Sequence, residues 1–269
     1  MHGVGTLTDA KQNIYEGAFV SGNKHGYGSM KWAVGHTYEG DWVMNKRQGQ
    51  GKFYSAASGA FYEGECYEDK ANGKGIMTYA NGDTYVGNWK DDERHGPGKL
   101  IMKESLSQYE GNWKEDKQDG FGKYISGTSG DQYIGNWVED AMEGEGKYIY
   151  KNGTTYEGIM KNNMKNGHGK TLGHNGTVYT GDYAEDKMQG FGTFQWADGT
   201  YYEGNWHDNK CDGYGTLTTT NGDCYVGEFQ AGEKHGVGKY TWKNGATYDG
   251  DYVNGARTGN GIFIYNKYE

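Results

Sequence analysis

The chain has 269 residues, of which 49 are glycine, 25 are tyrosine and 1 is proline, and its formal net charge is −9. Chains this rich in glycine are often disordered, but disordered chains are poor in aromatic residues, and 15% of this chain is aromatic. The acidic balance argues against nucleic acid as a partner, which needs a basic stripe, and it disfavours binding to anionic membrane lipid. A mean hydropathy of −1.00, with no apolar run of about 20 residues, predicts no membrane-spanning helix.

The first predicted element is a β-hairpin in which Gly3-Val4-Gly5 leads into Tyr15-Glu16-Gly17. This pattern recurs along the chain, and successive tyrosines are always 23 or 24 residues apart. A fixed period of about 20–50 residues is typical of repeat folds. We therefore predict one continuous array over residues 1–269, with eleven full repeats and a final unpaired Gly-x-Gly strand at 259–265. The recurring tyrosines are Tyr15, Tyr38, Tyr62, Tyr85, Tyr109, Tyr133, Tyr156, Tyr179, Tyr202, Tyr225 and Tyr248.

The tenth repeat shows how the two strands of a hairpin are expected to pair. A two-residue turn at Asn221-Gly222 would place the apolar residues of the two strands on opposite faces. A three-residue loop, 220–222, places them on one face, and since burial sets the register we choose this loop. Glycine at its last position takes positive φ without steric cost. The predicted pairs are Leu217 with Tyr225, Gly215 with Gly227, and Gly213 with Phe229.

Three of the intervals contain one extra residue. It falls in each case between the Gly-x-Gly pair and the tyrosine, within 55–60, 103–108 or 125–132. Insertions collect at solvated hairpin tips. The predicted fold is therefore all-β, an elongated single-layer antiparallel sheet built from tandem 23–24-residue hairpins.

Glycine faces glycine across each predicted hairpin, which leaves a bare strip on the sheet. A ring from a neighbouring strand is expected to cover this strip. The resulting ring ladder would lack a second layer to cover it, so we name its open face as one candidate binding surface. Cys66 and Met160 stand where a ring is expected, and the pattern leaves open whether they are weak points, bends or neutral. The ladder is predicted to contain Tyr38, Trp42, Tyr85, Trp89, Tyr109, Trp113, Tyr133, Trp137, Tyr202 and Trp206.

The opposite, outward face carries the second set of candidate binding residues. Tyr27, Phe121, Phe191 and Tyr214 lie between the two glycines of their repeats, where other repeats have polar residues. Exposed rings in a patch are typical of partner surfaces, although scattered surface apolar residues are common. Phe121 with Ile134, and Tyr214 with Val226, are expected to form small patches.

No catalytic, metal or cofactor site is predicted. The Gly-x-Gly pairs lack the strand–loop–helix context of a phosphate site. Histidines recur before the glycine pairs, but copies in adjacent repeats would lie about 10 Å apart, too far to share a metal ion. The three cysteines are not expected to pair, and free thiols fit a reducing compartment. The last strand is predicted to be an open edge, suited to edge pairing or end-to-end association.

The motifs Tyr38-Glu39-Gly40-Asp41-Trp42 and Lys24-His25-Gly26-Tyr27-Gly28 resemble the MORN (membrane occupation and recognition nexus) repeat over essentially the whole chain. The resemblance implies a rod-like single-layer sheet that acts as a scaffold. MORN arrays occur in axonemal radial spokes, cytoskeletal scaffolds and junctophilins, and beside kinase or methyltransferase domains. The choice among these is an analogy of fold.

We therefore expect a non-enzymatic scaffold that binds other proteins along the sheet, in the axoneme of a cilium or flagellum or in another cytoskeletal assembly. The alternatives are a phospholipid-binding tether at membrane–cytoskeleton junctions, which the net charge disfavours, and a detached targeting module of an enzyme. No charged-then-apolar leader is seen, so a cytoplasmic location is expected. The candidate partner-binding residues are Trp42, Trp89, Trp113, Trp137, Trp206, Tyr27, Phe121, Phe191 and Tyr214.

Overall fold

The computed structural model describes residues 2–265 and contains two units, Met1–Asp140 and Ala141–Glu269. The strands of the first unit are β1 Gly3–Thr8, β2 Ile14–Val20, β3 Asn23–Lys31, β4 Thr37–Val43, β5 Lys46–Tyr54, β6 Phe61–Tyr67, β7 Lys70–Thr78, β8 Thr84–Lys90, β9 Glu93–Ile101, β10 Gln108–Lys114, β11 Lys117–Ile125 and β12 Gln132–Val138. Each strand pairs antiparallel with the next in sequence.

The second unit repeats the same architecture. Its strands are β13 Ala141–Ile149, β14 Thr155–Lys161, β15 Met164–Leu172, β16 Val178–Ala184, β17 Lys187–Gln195, β18 Tyr201–His207, β19 Lys210–Thr218, β20 Cys224–Gln230, β21 Glu233–Thr241, β22 Thr247–Val253 and β23 Ala256–Ile264. They too pair antiparallel in sequence order. The predicted all-β fold of tandem hairpins is confirmed.

The predicted register is confirmed in the hairpin of β19 and β20. Leu217 pairs with Tyr225, Gly215 with Gly227 and Gly213 with Phe229. Gly222 closes the three-residue loop with a φ of 91°. At the longer tips, such as the one closed by the hydrogen bond from Ser55 N–H to the Ala60 carbonyl at 2.9 Å, the extra residue lies in the loop as expected.

The last strand begins earlier than the strand predicted at 259–265. It is β23, Ala256–Ile264, and it pairs with β22 on one side. Within residues 2–265 no strand pairs with its other side. The described part of β23 is therefore an edge strand, as expected.

A second kind of turn, which the sequence analysis did not predict, joins each tyrosine strand to the following Gly-x-Gly strand. Asp91 and Asp92, between β8 and β9, have φ values of 52° and 75°. Positive φ at both central residues is the geometry of a type I′ hairpin turn. A register shift typical of a bulge precedes this turn, between Gly87 and Trp89 of β8. The same shift recurs at the matching place in other repeats, as between Gly204 and Trp206 of β18, and bulges locally bend the strand that carries them.

The side chain of the second turn residue links successive repeats. Asp92 accepts a hydrogen bond from Ala71 N–H at 2.7 Å, and its own N–H donates to the Ala71 carbonyl at 3.1 Å. Glycine occupies the second turn position at Gly232 and Gly255, and these two residues make only the backbone hydrogen bond. The side-chain bond recurs at Asn45, Asp69, Asp116, Asp140, Asn163, Asp186 and Asn209.

Replacing Asp92 by alanine is expected to lower the free energy of unfolding by about 1–2 kcal/mol, because the Ala71 N–H loses its acceptor and alanine disfavours positive φ. Asparagine occupies the same position at Asn45, Asn163 and Asn209, so Asp92→Asn is the matched control and should change little. Urea unfolding followed by circular dichroism measures both. Equal losses in the two variants would show that the side-chain acceptor is not what stabilises the turn.

The core includes the recurring tyrosines and the ladder tryptophans, and Tyr109 shows how a tyrosine packs against glycines. Tyr109 on β10 is fully buried and donates a hydrogen bond to the Asn112 carbonyl at 2.9 Å. Its ring covers Gly111 on its own strand and Gly122 on β11. A ring from the neighbouring strand therefore covers Gly122, as expected, and the same ring also covers the glycine of its own strand. The tyrosine side chain is long enough to lie back along its own strand.

The buried phenols predict a steep loss of stability at high pH. Burial raises the pKa of Tyr38, Tyr85 and Tyr109 above the ordinary 10.0, and raises that of Tyr183 to about 12. An unfolded chain releases these protons near pH 10 while the folded chain keeps them, so stability falls as pH rises through that range. We expect constant stability between about pH 7 and pH 9, then cooperative unfolding with a sharp rise in tyrosinate absorbance. Gradual ionisation of a protein that stays folded would contradict this.

Candidate interaction surface

The outward face of each unit carries the residues that lie between paired glycines. Tyr27 and Phe121 lie in the first unit, and Phe191 and Tyr214 in the second. Their exposed fractions are between 55% and 61%. Each lies opposite a polar residue of the next strand, as Phe191 does opposite Asn205. The outward position predicted for these four rings is therefore what the structure shows, and their contact with a partner stays a prediction.

The predicted small patches depend on cross-strand placement. Phe121 pairs with Asn136, and Ile134, two residues earlier on the same strand, pairs with Lys123. Tyr214 and Val226 are related in the same diagonal way on β19 and β20. Diagonal neighbours lie about 7–8 Å apart at Cα, within reach of an aromatic side chain.

A groove that the sequence analysis missed lies on the outward face of the first unit. Its volume is about 760 Å³, and the cross-strand pair Ile76 and Val86 lines it together with Pro97. A second cavity of about 410 Å³ shares Val86 and Pro97 and extends to Phe121. The predicted register, applied to β7 and β8, places Ile76 opposite Val86, as the structure shows. The sequence of one repeat does not show that Pro97 of the next strand joins them.

Ion pairs across strands balance the charge on this face. Lys52 lies 3.1 Å from Glu63, and Lys99 lies 3.4 Å from Glu110. Exposed pairs of this kind contribute about 0–1 kcal/mol to stability. Tyr27 donates a hydrogen bond to Glu39 at 2.7 Å, and this bond raises the pKa of the phenol. The hydrogen bond orients an exposed ring, so the Tyr27 side chain is positioned before any partner binds.

The rings of the ladder cover one another. Trp113 is 3% exposed and contacts Tyr85 and Tyr109 edge-on, at centroid distances of 5.4 and 5.1 Å. The Arg94 guanidinium lies 4.2 Å from its ring centroid. The other four candidate tryptophans, Trp42, Trp89, Trp137 and Trp206, are also buried, at 3% to 6%.

These tryptophans therefore present almost no surface to a partner in this structure. Contact between them and a partner stays a prediction, and it would require the ladder to open. Among the candidate residues, the four outward rings are the accessible ones.

The residues that depart from the repeat pattern have different surroundings in the structure. Cys66 is buried at the ring position, where burial raises the pKa of its thiol. Burial also raises the pKa of the Cys211 thiol to about 12. Thr171, which pairs with the core residue Tyr179, hydrogen bonds with the Tyr183 hydroxyl at 2.6 Å. All three cysteines are free.

No group of three or more His, Cys, Asp or Glu side chains suited to a metal ion occurs within residues 2–265. No helix in that range is long and apolar enough to cross a membrane. The recurring histidines lie on separate strands, at His25 on β3, His95 on β9 and His235 on β21.

Comparison with known proteins gives one family match that spans the repeats. The family model described as MORN repeat matches residues 15–37, 38–59, 62–84, 85–103, 109–130, 133–155, 156–178, 179–201, 202–224, 225–247 and 248–268. A comparison with curated proteins found no match.

Solved structures give distant likenesses. One is the SAS-4 (dCPAP) TCP domain of Drosophila melanogaster with a proline-rich motif of Ana2 (dSTIL), at 17% identity and a TM-score of 0.37, covering 60% of this chain and 86% of that one. Another is the TCP10 domain of Danio rerio CPAP with a STIL peptide, at 10% identity and a TM-score of 0.34, covering 92% and 83%. Likenesses at this level carry no argument about function.

Proposed function

Because this chain belongs to the MORN repeat family, we propose that it is a non-enzymatic scaffold whose repeats, over residues 1–269, work as one array to hold other proteins. The observation that best supports this proposal is the exposure of the four outward rings. More than half of each ring residue is exposed, at Tyr27, Phe121, Phe191 and Tyr214. Aromatic residues are enriched among the anchors of protein interfaces. Placement in the axoneme, as in a radial spoke or the central apparatus, or in another cytoskeletal assembly, rests on the resemblance to axonemal MORN arrays.

The groove in the first unit supports a protein partner. Ile76, Val86, Pro97 and Phe121 give it an apolar surface, and charged residues such as Glu65 and Lys74 border it. An apolar centre with a polar rim is the usual anatomy of a protein interface. Bound chains would bury the apolar residues and leave the ion pairs at the edge in contact with water.

Edge pairing through β23 is a further part of the proposal. Its side chains Ile262 and Ile264 are 68% and 59% exposed, and Tyr265, directly after the strand, is 75% exposed. Unpaired backbone groups beside exposed apolar side chains favour addition of another strand. Sedimentation of the full chain at rising concentration tests this part, and Ile262→Lys should weaken any self-association.

The cellular test is extraction of the tagged full chain from cells of its source. We expect it to remain with the axoneme or cytoskeleton after detergent and salt extraction. Release with the membrane fraction would favour the lipid tether, and a diffuse signal would leave the scaffold proposal without support. The tagged variant Trp113→Phe, which keeps a buried ring, controls for damage caused by tagging and mutation.

A further inference from the structure

One ladder position in the second unit holds a methionine where a ring is expected. Met160 follows the core residue Tyr156 by four residues and pairs with Gly144, as Trp206 follows Tyr202 and pairs with Gly190. Met160 is 3% exposed, so its thioether occupies the ladder position itself. A thioether is narrower than an indole and has no N–H to donate.

A cavity of about 280 Å³ lies beside this methionine, between the side chains of Met142, Tyr148 and Tyr150. The same three positions of a later repeat show what normally fills it. Met142, Tyr148 and Met160 correspond to Met188, Phe194 and Trp206, which stand 46 residues further on. There the Trp206 ring lies 5.8 Å from Phe194 and donates a hydrogen bond to the Gly192 carbonyl at 3.1 Å. The cavity therefore borders the ladder position at which the later repeat holds an indole, with the narrower thioether of Met160 as one of its walls.

The charges around the cavity suit an aromatic ring. The Lys165 ammonium lines it and lies 5.4 Å from the Tyr150 ring centroid and 5.4 Å from that of Tyr156. A cation within about 6 Å of a ring centroid is attracted by the negative face of the ring, most strongly by tryptophan. The Asp186 carboxylate also lines the cavity and could accept an indole N–H.

We propose that this cavity binds the indole ring of a tryptophan in an extended segment of a protein partner, which completes the ring ladder in trans. Its volume lies just below the range of about 300–1,000 Å³ for drug-sized ligands and suits one side chain. The proposal rests on the proposed function only in taking a protein as the partner. The site is on the ladder side of the sheet and shares no residue with the outward rings.

The test uses the purified full chain with methionine methyl groups labelled for NMR. We expect N-acetyl-tryptophanamide to shift the Met142 and Met160 methyl signals saturably and to leave Met30 of the first unit unchanged. Met160→Trp fills the cavity. The affinity for N-acetyl-tryptophanamide, measured from the Met142 methyl signal, should therefore fall at least about tenfold. Lys165→Met keeps the length of the side chain without its charge and should weaken binding about fivefold.

The peptide Gly-Gly-Trp-Gly-Gly tests whether the cavity accepts a tryptophan side chain within a longer chain, as a partner would present it, as well as a free indole compound. It should bind at least as tightly as N-acetyl-tryptophanamide, because an extended chain can leave the cavity at both ends. Three results would overturn the proposal. The first is binding of N-acetyl-tryptophanamide without binding of the peptide, and the second is the absence of a saturable shift in the wild type. The third is a Met142 shift in Met160→Trp equal to that in the wild type. If Met160→Trp does not fold, Lys165→Met decides, and unchanged affinity there would contradict the proposed site. None of these results depends on retention in the cytoskeleton.

Discussion

Replacing Trp113 by alanine is expected to lower the free energy of unfolding of the first unit by about 3–5 kcal/mol. The ring is 3% exposed and lies between Tyr85 and Tyr109, with Arg94 over its face. Its Nε1 donates a hydrogen bond to the Gly98 carbonyl at 3.2 Å. The substitution therefore removes two edge-on ring contacts and a hydrogen bond and leaves a cavity. Urea unfolding followed by circular dichroism measures the loss.

Phe121→Ala is the matched control for this substitution. Phe121 lies in the adjacent strand, and 59% of it is exposed, so its removal should cost less than about 0.5 kcal/mol. Similar losses in the two variants would mean that the ladder is not the core of the unit. A loss below about half a kilocalorie per mole for Trp113→Ala would lead to the same conclusion.

Replacing Gly122 by alanine is expected to cost about 3 kcal/mol, at the upper end for an overpacked core. A Cβ atom there would lie 2.6 Å from the Cε2 and Cζ atoms of Tyr109, closer than real Cβ contacts come. The Tyr109 ring cannot withdraw, because Trp113 and Trp137 pack edge-on against it. Thermal unfolding of the full chain gives the loss of stability.

Gly22→Ala separates this steric effect from backbone strain. Gly22 has a φ of +82°, and an added Cβ would meet no atom within 4 Å, so this variant should lose about 1–2 kcal/mol from strain alone. The prediction for Gly122 fails if the two variants lose equal stability, since close approach of the tyrosine would then not be the reason for glycine.

The sequence was sufficient for the fold and for the register because both are encoded within one repeat. Alternating apolar residues on the two sides of Asn221-Gly222 allow one loop length that places Leu217 and Tyr225 on the same face. The type I′ turns were missed because their central residues, such as Asp91 and Asp92, are not glycine. Their positive φ values are stabilised by hydrogen bonds to the previous repeat, and such bonds are invisible in a single repeat.

The candidate surface was predicted in part. Alternation correctly places Phe121 and Tyr214 outward, because side-chain direction follows from the period of the strand. The burial of Trp113 was left open by the sequence, since it depends on side chains of other strands, such as Arg94 and Tyr85, that lie against the ring. The cavity beside Met160 was visible only as a departure from the pattern. Its shape depends on the walls that neighbouring strands supply.

The central claim is that the outward rings hold the partner, and one variant tests it directly. Tyr27→Ser, Phe121→Ser, Phe191→Ser and Tyr214→Ser are combined in the full tagged chain, and retention in the extracted cytoskeleton is compared with that of the wild type. Because all four rings are exposed, the thermal unfolding curve should stay unchanged while retention falls at least about tenfold. Retention equal to the wild type in a variant that folds normally would contradict the account.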